Sequence, residues 1–237
     1  GNDRLLLIMW WKLSIFLLMS AVIVLAFATP SPVNPRVSLG PADAYRIFYF
    51  HVPTAWVAAL AFVVAMYQAI RYLKTRDILC DIKAVTANRL GLVFAVLAVV
   101  TGSIFAKMTW GEFWNWSEIR EVSIFILLVI YGAYFALRSA LPDPEIRATL
   151  SAVLSIIFAI AAVFLIFVLP RVYPAFSQHP GDTIVDEGGR ITMASTVAII
   201  FFASMTAFTA LFAWIYSLSV KVGKIEQIQV PESNNER

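Results

Sequence analysis

Apolar residues run along this chain in six long blocks, with most polar positions gathered between them. The blocks cover about 5–28, 53–73, 89–108, 118–139, 147–169 and 191–218. About 20 apolar residues, rising ~1.5 Å each, cross a hydrocarbon core of roughly 30 Å. The pattern therefore predicts six transmembrane helices in an all-α, polytopic integral membrane protein, one domain over residues 1–237. Prolines punctuate it: Pro30, Pro32 and Pro35 follow the first block, and Pro53 opens the second. Pro142 and Pro144 separate the fourth from the fifth, which Pro170 closes. A ring without an N–H belongs at such helix boundaries. The connections are 29–52, 74–88, 109–117, 140–146 and 170–190. A tail begins at about 219, and residues 222–237, ending VPESNNER, read as flexible.

Composition agrees: 60% of residues are hydrophobic, 14% are charged, and mean hydropathy is +0.80. Soluble domains carry about a quarter charged residues, so that class is excluded. The excess of 18 Lys+Arg over 15 Asp+Glu is too small to indicate nucleic acid. The distribution of cations carries more information. Arg4, Lys12, Arg71, Lys74, Arg76, Lys83, Arg89, Arg138, Arg147, Lys221, Lys224 and Arg237 fall on one side of the six spans. Arg36, Arg46, Lys107, Arg120, Arg171 and Arg190 fall on the other. The positive-inside rule places the richer side, with both termini, in the cytoplasm. Trp10-Trp11-Lys12 suits an interfacial anchor, and the first block suits an uncleaved signal anchor. A single cysteine, Cys80, excludes an intrachain disulfide, and there is no CxxCH for thioether attachment of haem.

On the outer side lies TWGEFWNWSEIRE, Thr109 to Glu121, with Trp110, Trp114 and Trp116 in one short connection. The chain's two histidines share that side: His51 in YRIFYFHVPTAW and His179 in YPAFSQHPGD. Neutral imidazole ligates porphyrin iron, and indole faces suit a planar macrocycle. Read blandly, the tryptophans are an interfacial belt and the histidines are structural. Zinc fits less well, because the outer loops offer no cysteine and no clustered histidine–carboxylate spacing. Arg46, five residues before His51, would point about 140° away on a continuous helix. It reaches the same site only if the chain bends near Pro53; otherwise it is a headgroup cation. His179 precedes a proline and is expected on an extended loop. Ser117, followed by Glu118 and Glu121, reads as the N-cap of the fourth helix. Arg120, Arg171 and Arg190 are outer cations available to carboxylates or to solvent.

These segments resemble the haem-handling membrane proteins of cytochrome c biogenesis, in the family of cytochrome c maturation protein C. YRIFYFHVPTAW is similar to that family's entry into its second helix, WGEFWNWSE to its tryptophan-rich motif, and SQHP to the site of its second histidine. The resemblance implies non-covalent haem b with His51 and His179 as axial ligands and Trp110, Trp114, Trp116 and Phe113 as its platform. It implies loading of haem onto a periplasmic haem chaperone in the bacterial inner membrane. The implied partners are the subunits of an ABC-type exporter and a small single-span protein. The chain has no GxxxxGK[ST], so ATP hydrolysis would belong to a partner, and no enzymatic role is expected. Phe113 stands where the family has tryptophan and Ser117 where it has aspartate, and Arg120 comes one position late. Two other classes compete. A diheme b-type electron carrier needs four axial histidines. A substrate permease needs functional polar groups near mid-span, and the central parts of these spans carry almost none.

Overall fold

The computed structural model describes residues 2–30, 44–179, 184, 190, 191 and 193–229. Those residues contain six helices long and apolar enough to cross a membrane. They are α1 (Asn2–Ala28), α2 (Ala44–Thr75), α3 (Ile78–Trp110), α4 (Ile119–Ala140), α5 (Pro144–Val172) and α6 (Ser195–Gln229). The α3–α4 connection and the residues after α5 meet at one end of the bundle, beside the first turns of α2. Residues 31–43, 180–183 and 185–189 of the expected connections lie outside the described residues, as do 230–237 of the tail.

Several helices are longer than the apolar pattern indicates, each for a local reason. Pro53 does not open α2 but lies nine residues inside it, fully buried. Its ring has no N–H to offer the Tyr49 carbonyl one turn back, and the hydroxyl of Ser204 on α6 donates to that carbonyl instead. A neighbouring helix thus replaces the missing donor, as bilayer-spanning helices require. His51 is consequently a helical residue.

The expected 74–88 connection shrinks to Arg76 and Asp77. Arg76 turns through φ 56°, and Asp77 caps α3 by accepting from the Leu79 N–H at 2.9 Å. Pro170 does not end α5 either. The preceding residues Phe164–Val168 form a π-turn in which the Leu169 N–H reaches the Phe164 carbonyl. That wider turn relieves the clash a proline makes with the carbonyl behind it. At the other end of the chain, α6 continues to Gln229, so the segment assigned to the tail from 219 is helical that far.

The bundle centres on α2, whose Val57, Ala58, Ala61 and Phe62 are buried against α3, α4, α5 and α6. The Phe62 ring stacks on Tyr131 of α4 at 3.8 Å between centroids. Gly91 of α3 permits this stack, since a Cβ there would come within 2.5 Å of the Phe62 ring. The spans also carry more polar chemistry than hydropathy suggests. Buried Asn88 donates to Ser155 across α3 and α5. Arg138 on α4 makes a two-pronged pair with Asp81 on α3, at 2.9 and 2.6 Å. Both contacts join helices far from the histidines.

Candidate functional site

His51 projects from α2 against α3. Its Nδ1 lies 3.0 Å from the Ala98 carbonyl oxygen and 3.1 Å from Thr101 Oγ1. A carbonyl oxygen only accepts, so Nδ1 carries the proton and Nε2 keeps its lone pair. The Thr101 hydroxyl donates to Leu97 O at 2.8 Å, leaving its oxygen to accept from His51 as well. Gly102 completes the cradle: a Cβ there would fall 2.8 Å from His51 Cε1. Ala98, Thr101, Gly102 and Phe105 form one stripe of α3, at i, i+3, i+4 and i+7.

His179 meets the next part of the same helix. Its ring packs on Phe105 at 6.5 Å and edge-on against Trp110 at 5.0 Å between centroids. The contacts of the two histidines thus follow one another along α3, roughly 5–18 Å apart in level at 1.5 Å per residue. His179 Nδ1 lies 3.2 Å from Glu118 Oε1, again an acceptor, so Nδ1 carries a proton here too.

Glu118 itself is 1% exposed and corrects the expected cap. The N-cap of α4 is Glu118, not Ser117: Glu118 Oε2 accepts the Glu121 N–H at 2.8 Å. Ser117 instead gives its N–H to the Asn115 side chain at 2.8 Å, tightening the turn before the helix. The other carboxylate oxygen of Glu118 accepts from the Ser177 hydroxyl at 3.0 Å and the Gln178 N–H at 3.3 Å. Burial acts to raise the Glu118 pKa, but His179, the Glu121 N–H and Ser177 outweigh it, and the carboxyl sits below its ordinary value. Arg120 joins the same group, its Nε donating to Ser177 Oγ at 3.3 Å. Arg171 is capped onto its own helix through the Phe167 carbonyl.

The aromatic residues divide into two sets. Trp110 belongs with His179 and Phe105. Trp114 and Trp116 belong with Phe125 of α4, with centroids at 6.4 and 5.2 Å from its ring. Trp116 and Phe113 are exposed, Phe113 beneath the Lys107 ammonium at 5.5 Å. The indole nitrogen of Trp114 is buried without a hydrogen-bond partner. Arg46 is not brought onto the His51 face, because α2 is continuous through Pro53 and the two residues are five apart on it. Its guanidinium lies over the Phe27 ring of α1 at 5.9 Å.

Ala98, Gly102 and Glu118 are the residues that sequence reasoning missed. The first two carry no signal in an apolar helix. Glu118 did carry one, as an acid directly after the tryptophan-rich stretch, where it read as part of the fourth helix's first turn.

Fold and site together define a polytopic membrane protein with a paired-histidine, tryptophan-rich site at one end of a six-helix bundle. The chain belongs to the heme exporter protein C family, whose model matches residues 2–232. It is 35% identical over 115 residues to heme exporter protein C of Bradyrhizobium diazoefficiens, covering 48% of this chain and 43% of that protein. The Rhodobacter capsulatus heme exporter protein C is 30% identical over 118 residues, 50% of this chain and 48% of the relative. Its counterpart in Escherichia coli K12 is 32% identical over 130 residues, 49% of each. The matches thus span about half the length of these relatives.

Proposed function

We propose that this protein holds haem at the extracytoplasmic end of its bundle through His51 and His179 and delivers it to a haem chaperone during cytochrome c maturation. The observation that carries the reading is the state of the two imidazoles. Both Nδ1 atoms are engaged by acceptors, a backbone carbonyl for His51 and a carboxylate for His179. Histidines that ligate metal characteristically donate their other ring N–H in this way, which leaves Nε2 as the ligand atom. The donor set, two imidazoles and no cysteine or aspartate, suits haem iron better than zinc. Among the described residues, no group of three or more His, Cys, Asp or Glu is placed to hold a metal ion.

Haem bound here would supply an iron centre, which His51 and His179 would hold without thioether bonds. The chain's own residues do the rest. His51 is rigid, wedged between α2 and α3. His179 sits on a segment outside regular helix and can withdraw without unpacking one. Trp110 flanks His179, while Trp114, Trp116 and Phe113 offer further aromatic surface on the α3–α4 connection. Arg120, a cation beside the His179 segment, suits a propionate of haem b. The recipient would be a membrane-tethered periplasmic haem chaperone, and the surroundings a bacterial inner-membrane complex with an ABC-type exporter and a small single-span subunit. A diheme electron carrier lacks two of its four histidines in this chain.

Co-expression with the chaperone, followed by haem staining of denatured gels, tests the reading. Covalently loaded chaperone should appear with wild type and vanish with the double His51→Ala, His179→Ala variant. Equal loading without this protein would reject it.

A further inference from the structure

The starts of three helices bear on how His179 is held. α3 and α5 are capped by exposed aspartates, Asp77 and Asp143, each accepting one main-chain N–H through one oxygen. At α4 the same task falls to a glutamate that is almost wholly buried. One carboxylate oxygen suffices for a cap, and Glu118 uses Oε2 for it. The extra methylene lets Oε1 reach a second segment, where it gathers the Ser177 hydroxyl, the Gln178 N–H and His179 Nδ1. Burying a carboxylate is costly, and a cap alone does not demand it. Holding His179 does.

We propose that Glu118 is the positioning residue of His179, its Oε1 fixing the imidazole as the Nδ1–H tautomer so that Nε2 is presented as the ligand atom. What Nε2 is presented to rests on the haem reading above; the tautomer does not. The two histidines are then unequal. His51 is held by a neutral carbonyl on a packed helix, and His179 by a charged acceptor that strengthens its Nε2 as a donor. Glutamine cannot replace this acid. Its single oxygen can serve the Glu121 N–H or the 177–179 donors but not both, and its NH2 facing His179 would demand a lone pair on Nδ1.

The test uses the haem-free protein, labelled with 15N-histidine in lipid at a pH where the imidazoles are neutral. With two histidines in the chain, the His179→Ala spectrum assigns both sets of signals. Wild-type His179 should be Nδ1–H by about tenfold or more, as a charge-assisted bond implies. Glu118→Gln should invert that preference while leaving the His51 signals unchanged. Glu118→Asp keeps the charge and the cap but lacks the methylene that brings Oε1 to His179, so it too should lose the Nδ1–H preference. In the haem-loaded protein, Glu118→Gln should raise the reduction potential, since a weaker donor stabilises ferric iron less. Wild-type His179 in the Nε2–H form would overturn the proposal even if Glu118→Gln fails to fold, and so would an unchanged tautomer in a folded Glu118→Gln variant. A protein with the Nδ1–H tautomer that takes up no haem would instead reject the function and leave the role of Glu118 intact.

Discussion

A methyl group added at Gly102 should disable His51 without touching it chemically. The Cβ of Gly102→Ala would lie 2.8 Å from His51 Cε1 and 3.3 Å from Nδ1. Reaching ordinary contact, near 3.4 Å, requires the ring to move by about 0.6 Å. The ring has little freedom to do so, because its Nδ1 is held 3.0 Å from the Ala98 carbonyl on the same helix. Glycine to alanine inside an exposed helix ordinarily stabilises by ~0.8–1 kcal/mol. Here overpacking costs ~1–3 kcal/mol, and the displaced hydrogen bond adds ~0.5–1.5 kcal/mol. The balance is about 1–3 kcal/mol against the variant, opposite in sign to the propensity rule. Thermal unfolding in detergent should show a lower midpoint, and the haem-loaded variant an altered Soret band with reduced occupancy. An equal or higher midpoint with an unchanged spectrum would refute the reasoning, for it would mean that His51 is not confined by α3.

Gly91→Ala is the matched control: it meets the Phe62 ring at 2.5 Å in the core, so folded yield should fall while the haem spectrum per folded molecule stays constant. Removing the partner of buried Asp81, by Arg138→Ala, should cost ~3–5 kcal/mol, because a buried charge loses its two-pronged pair. Thermal unfolding would check this, again with no spectral change, since the pair lies at the opposite end from the histidines. Trp110→Ala should perturb the haem spectrum more than Trp116→Ala, because Trp110 packs on His179 and exposed Trp116 packs on Phe125; absorption and occupancy measurements on the two variants decide it. For orientation, Cys80 is a poor probe, being 1% exposed. Cysteines placed at exposed Glu112 and Ile146 in a Cys80→Ser background should label from the outer and cytoplasmic faces of sealed vesicles, respectively.

Much of this architecture was legible from composition, because a bilayer imposes one simple demand. Every backbone group in the hydrocarbon must bond within its own segment, so long apolar runs become helices whatever their neighbours. The number of spans, the lone cysteine, the pairing of two histidines with a tryptophan-rich stretch and the resemblance to a haem-handling family all followed from the order of residues. Helix ends did not. Pro53 and Pro170 read as boundaries by local rules, yet both are interior, one rescued by the Ser204 hydroxyl from another helix and the other by a π-turn. Asp81 and Lys83 looked like a loop until Arg138 supplied Asp81 with a partner from α4.

The site divides in the same way. Sequence alone determined which imidazoles and indoles the chain possesses, and that the two histidines share one end of the spans with the tryptophan-rich stretch. Only the tertiary structure decided which nitrogen each imidazole offers. That depends on the Ala98 carbonyl, the bare Cα of Gly102 and the buried carboxylate of Glu118, groups distant in sequence that helix packing brings within hydrogen-bond or van der Waals reach. A tautomer is set by the acceptor that faces the ring, and no spacing along a chain records which acceptor that will be.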